Sequence, residues 1–178
     1  MGRRIVALLG ACAALSAIAM PAAHAAGTST TFTLTGGSLS ITAPASVNLG
    51  SGSTGDSAFT GQLGTVSVSD LRGALLSSWT ATASSGDFTT GGGTANETIT
   101  KAKVAYWSGA ATASSGVGTF TPGQLTALLK VALSSAQTAF SSTGLVGNNS
   151  ASWNPTIVVD ATSAVAGTYS GTITHSVA

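Results

Sequence analysis

Residues Tyr169 to Val177 alternate without a break. Tyr169, Gly171, Ile173, His175 and Val177 fall on one side of an extended chain. Ser170, Thr172, Thr174 and Ser176 fall on the other, because successive strand side chains point to opposite faces. The segment reads as a strand with one buried and one hydroxyl-covered face. The same period recurs upstream. Phe32 and Leu34 alternate with threonines, Leu39 and Ile41 with Ser and Thr, and Val66 and Val68 with Ser and Thr. Trp79, Ala81 and Ala83 alternate with Thr80 and Thr82, and Val47 and Leu49 make a shorter piece. Ile157, Val158 and Val159 read as a strand buried on both sides. Gly36-Gly37 has the form of a two-residue hairpin turn, and Gly50 to Gly61 that of a loop. Short alternating strands broken by turn residues pack as sandwiches or barrels. The expected fold is all-β, an immunoglobulin-like β-sandwich.

One stretch departs from this period. Thr121 is placed to cap a helix, with Pro122 at its first position and Gln124 closing a capping box. Leu125, Leu128, Leu129, Ala132, Ala136 and Phe140 then follow at helical spacing. One short helix is therefore expected near 122–140. The rival reading is a strand through Val131 to Leu133 and a turn at Ser134-Ser135.

The first residues read as a targeting segment. Arg3 and Arg4 precede an apolar run, Ile5 to Met20, and Ala23-His24-Ala25 has the small-x-small form of a cleavage site. The expected signal peptide is 1–25, and the expected single domain 26–178. Cys12 leaves with the signal, so neither disulfide nor thiol chemistry is expected in the mature chain. Without Arg3 and Arg4 the formal charge of +1 becomes −1, which argues against a polybasic route to nucleic acid. No membrane span is expected in the mature chain. Charged residues make up 6% of the sequence, against about 25% in an average soluble domain. Ser, Thr, Asn and Gly must cover the surface instead, which suits neutral, hydroxyl-rich material or another protein.

Catalytic groups are sparse. Nucleophilic catalysis needs a nucleophile, a base and an orienting group. His175 is the one histidine after the signal, and it sits on the apolar face of the closing strand. A structural histidine is expected. Asp56, Asp70, Asp87, Glu97 and Asp160 are scattered, with no metal-ligand spacing. No cofactor or metal is expected, and the chain is not read as an enzyme. Trp79, Trp107 and Trp153 have two readings, a sugar-stacking platform or core packing. Core packing is the expectation for each. Trp107, beside Tyr106 and Ser108-Gly109, is the one expected to be most exposed. Trp153 is read as a plug at one end of the core.

The run Val66-Ser67-Val68-Ser69-Asp70-Leu71-Arg72-Gly73, followed by Trp79-Thr80-Ala81-Thr82, resembles the first half of a WxL domain. Tyr169-Ser170-Gly171-Thr172-Ile173-Thr174-His175-Ser176-Val177 is similar to that family's closing strand. Ala81 stands where the first motif has Leu or Val, and His175 where the second has Trp. The WxL family occurs on Gram-positive cell surfaces. The resemblance implies a secreted, non-catalytic module retained at the bacterial surface. Its partner would be a cell-wall polymer or an envelope protein. Asp70, Arg72, Trp79, Trp107, Trp153, Tyr169 and His175 are the contact or motif residues expected to matter. The alternative is a structural surface protein that assembles with its own copies, because low charge offers little repulsion between sheet edges.

Overall fold

The computed structural model describes residues 27–178; the expected signal peptide lies outside them. The chain divides into two units, Met1–Leu34 and Thr35–Ala178. In the first, residues 27–34 carry no regular structure, and Phe32 and Leu34 are exposed. The strand and hairpin expected around Phe32 and Gly36-Gly37 do not form. Gly37 instead donates its N–H to the Leu71 carbonyl at 2.7 Å.

The second unit is built of twelve strands. They are β1 (Leu39–Thr42), β2 (Ala58–Gln62), β3 (Val66–Asp70), β4 (Leu75–Ser85), β5 (Phe88–Thr89) and β6 (Thr98–Ile99). The rest are β7 (Val104–Trp107), β8 (Ala111–Pro122), β9 (Val131–Ala132), β10 (Gln137–Trp153), β11 (Thr156–Asp160) and β12 (Ile173–Val177). All pairings between them are antiparallel, and they form an all-β sandwich.

The larger sheet is organised by β10. It pairs with β4 over Gln137–Val146 and with β3 over Asn149–Trp153. Over Phe140–Trp153 it also pairs with β8. Because Phe140 and Ser150 each face two partners, β8 lies on one side of β10, with β3 and β4 in succession on the other. β1 borders β3, and β12 borders β4. The second sheet places β11 between β2 and β7, with β9 beside β7. β5 and β6 form a small separate ribbon.

Alternation explains the core. β3 buries Val66 and Val68, and β4 buries Trp79, Ala81 and Ala83. β10 adds Phe140, Ala151 and Trp153, which meet Val104 and Tyr106 of β7 and Ile157 and Val159 of β11. The large rings stack. Phe140 lies 6.4 Å from Trp79 and 4.9 Å from Trp153, centroid to centroid. Each fully buried ring of this kind contributes about 1.5–3 kcal/mol of apolar burial.

The helix expected near 122–140 does not form. β8 runs through Pro122, and Gly123 donates its N–H to the Ala139 carbonyl at 2.8 Å. A side chain at Gly123 would strike the Thr138 carbonyl. Leu125, Leu128 and Leu129 remain exposed, and only the single turn Ala127–Leu129 is helical. Phe140 is drawn into the ring stack, which takes away the apolar stripe a helix would have buried. The rival reading is closer: Val131-Ala132 is strand, and the chain turns just after it.

Three smaller expectations also change. Val47 and Leu49 lie in a loop, whereas β2 crosses the segment read as loop. The closing alternation is regular only from Ile173. Upstream of it, Ser170 exchanges hydrogen bonds with Thr89 of β5 at 3.0 Å. No helix among the described residues is long and apolar enough to cross a membrane.

Candidate functional site

Asp70, Arg72 and Trp79 meet in one network. Gly73 adopts a φ of 63°, which glycine reaches without steric cost, and the chain breaks between β3 and β4 there. Arg72 turns back onto Asp70. Its Nε donates to Oδ1 and an Nη to Oδ2, both at 2.9 Å, and the same Nη reaches the Ser78 carbonyl at 2.9 Å. Asp70 is buried, while Arg72 keeps about a third of its side chain in water. Across the sheet, Asn149 donates Nδ2–H to Asp70 Oδ2 at 3.1 Å. Its Oδ1 accepts the Trp79 indole N–H at 2.9 Å. Arg72 holds the Asp70 carboxyl down to about 2, against the opposing effect of burial. The carboxylate is fully committed to neighbours, so it acts as a clamp rather than as a proton carrier.

A second relay ends at His175. The Trp153 indole donates to the Tyr106 hydroxyl at 3.3 Å. That hydroxyl lies 3.4 Å from His175 Nε2, within hydrogen-bond reach of the ring. Burial keeps it neutral, lowering the His175 pKa to about 4. Burial also raises the Tyr106 pKa well above its ordinary value. The hydrogen-bond partner of His175 is thus a phenol, with neither a carboxylate nor a serine in that place.

His175 also lines a cleft of about 740 Å³. Phe59 of β2 and Ile157 and Val159 of β11 line it from one sheet, and Ile173 and His175 of β12 from the other. The loops 43–56 and 164–172 form its walls. Val47 and Val165, both partly exposed, stand on these loops. Tyr169 braces its own loop, since its hydroxyl accepts the Val165 N–H at 3.1 Å and donates to the Val165 carbonyl at 3.2 Å. Asp56 is the one lining residue with a formal charge, and its Oδ2 accepts the Ser53 N–H at 2.7 Å. The volume lies within the roughly 300–1,000 Å³ of small-ligand sites.

The candidate residues therefore separate into groups. Asp70, Arg72 and Trp79 clamp the two halves of the larger sheet. Trp153 and His175 are joined through Tyr106, and His175 and Tyr169 line the cleft. Trp107 is half-buried on the β7 face opposite Tyr106 and joins neither group. Asn149, Tyr106 and Phe140 complete both networks. None carries a local sequence signal for that role, because their partners lie far away along the chain. Among the described residues no three His, Cys, Asp or Glu side chains gather to hold a metal ion.

Compared with protein-family models, curated proteins and solved structures, the chain matches none.

Proposed function

We propose that this chain is an exported, non-catalytic module of the bacterial cell surface. In this reading it holds a neutral cell-wall polymer or an envelope protein through the cleft between loops 43–56 and 164–172. One observation carries the reading. The cleft is lined by aliphatic, aromatic, hydroxyl and amide groups around a single carboxylate already bonded within its own loop. Such a lining recognises uncharged material by apolar contact and neutral hydrogen bonds. The resemblance of the Asp70–Gly73 and Tyr169–Val177 segments to WxL motifs supports the same reading.

Co-sedimentation of the purified chain with cell-wall sacculi tests it. The chain should pellet with sacculi at low and moderate salt alike. Val47→Asp and Val165→Asp change exposed positions and should leave the fold intact while releasing the chain. A wild-type chain that stays in the supernatant overturns direct wall binding. Pelleting that neither variant weakens overturns the cleft as its contact.

A further inference from the structure

An apolar row crosses the larger sheet on its solvent side. Leu75 of β4 and Val117 of β8 both stand directly across from Val146 of β10. Partners in register share a face, and all three are exposed, at 74%, 65% and 43%. Next to Leu75, Leu76 holds a φ of 56° and is 75% exposed. A left-handed conformation costs a residue with a side chain about 1–2 kcal/mol. Strained residues cluster at functional sites, and contiguous exposed apolar surface marks interaction sites.

The row ends on an open edge. β8 is 12 residues long and, among the described residues, pairs with β10 alone. The bordering strands β1, β2, β9 and β12 run for only 4, 5, 2 and 5 residues. β8 carries no charged residue, and its single proline is its last residue. Natural edges usually carry lysines, internal prolines or short strands that prevent pairing. β8 has none of these three; its one departure from a flat edge is the set of register shifts in its ladder with β10, two of which flank the Val146–Val117 pair.

We propose that β8 pairs antiparallel with β8 of a second copy of this chain, about a two-fold axis near Val117. Two-fold interfaces are self-complementary, and this strand meets that condition. Val117 of one copy faces Val117 of the other on the same side of the joined sheet. The row Leu75–Val146–Val117 then continues without a gap into its symmetry mate. Gly116 and Gly118 take positive φ values of 94° and 148°, so the strand bends at the axis. The arms to either side do the pairing. Ser115 meets Thr119 of the second copy, and Ala113 meets Thr121. An uncharged strand facing itself meets no repulsion, whereas a basic or acidic partner would find no countercharge on it. The interface is separate from the cleft.

Sedimentation velocity over a concentration series tests this, with Cys12→Ser as the background throughout. The chain should dimerise, and Val117→Lys should weaken the dimer by about tenfold or more, since it sets like charges directly opposite. Leu128→Lys changes an exposed leucine outside β8 and should leave the dimer unchanged. In the same background Val117→Cys carries the only thiol and should form a covalent dimer under mild oxidation. A chain that stays monomeric throughout overturns the proposal. So does a dimer that survives Val117→Lys and does not crosslink at position 117.

Discussion

Asn149 stands directly across from Asp70 on the neighbouring strand, and its amide bridges that carboxylate to the Trp79 indole. One side chain thus serves both the break between β3 and β4 and the first ring of the aromatic stack. Asn149→Ala strands the indole N–H and reduces the support of a buried carboxylate. Each lost partner costs about 1–3 kcal/mol, so a total loss of about 2–4 kcal/mol is expected. Asn149→Asp should cost at least as much, because it sets a second carboxylate against Asp70. Urea denaturation reads this as a lower midpoint at unchanged slope. A loss below about 0.5 kcal/mol, typical of a free surface site, would contradict the clamp.

Stability should fall with acid in two separate stages. The folded His175 pKa is about 4, against an ordinary value of 6.5. Between those values the unfolded chain binds the proton first, so acidification favours unfolding. That contribution is complete above about pH 6.5 and is lost as pH falls toward 4. Asp70 titrates near 2, against an ordinary 3.8. Its contribution is complete above 3.8 and is lost as pH falls toward 2. Thermal melts across this range should show both stages. His175→Gln should abolish the upper one and keep the lower. An upper stage that persists in the variant would assign it to another group.

Leu76 can be relieved of its strain. Glycine occupies a φ of 56° freely, and the exposed leucine side chain gives up little burial. Leu76→Gly should gain up to about 1 kcal/mol after the entropy cost of glycine in the unfolded chain. In a chain of this size that raises the melting temperature by about 2–4 °C. A lower melting temperature would show that the leucine makes a stabilising contact in the free monomer.

Phe140 carries the middle of the ring stack. Phe140→Ala should cost about 3–5 kcal/mol and should strip the near-ultraviolet dichroism that Trp79 and Trp153 owe to their fixed packing. Unchanged dichroism with a small stability loss would mean that the two indoles are held by their hydrogen bonds alone.

The sequence disclosed those parts of the fold whose two faces differ. β1, β3, the Trp79–Ala83 part of β4 and the regular part of β12 each put apolar side chains on one face only, so alternation exposes them. β8 is exposed on both faces over most of its length, and no period marks it. β10 is interrupted by register shifts between Thr138 and Phe140 and between Ser142 and Val146, which scrambles its alternation. The Thr-x-x-Gln signature at Thr121 suggested a helix cap, yet Gln124 spends its amide on the Thr138 carbonyl at 2.9 Å. The similar Thr94–Glu97 spacing does form a capping box, around a single helical turn. The two sites differ in what tertiary structure demands of the residues that follow. Asp70, Arg72 and Trp79 could be singled out because they lie close together in sequence. Asn149 could not, since it is 70 residues from Trp79 and 79 from Asp70.

The late position of β10 governs the order in which this molecule can come together. β3 and β4 are synthesised long before their shared neighbour, and β8 has no other strand to lean on. A nascent chain that has just completed Pro122 therefore carries four strands of the larger sheet, β1, β3, β4 and β8, without the strand that joins them, and the ring stack still lacks Phe140 and Trp153. Contacts this distant in sequence close slowly, typically over milliseconds to seconds. The larger sheet is in effect zipped from its centre by its last long strand. Until that strand arrives, β3, β4 and β8 keep edges that are open to pairing.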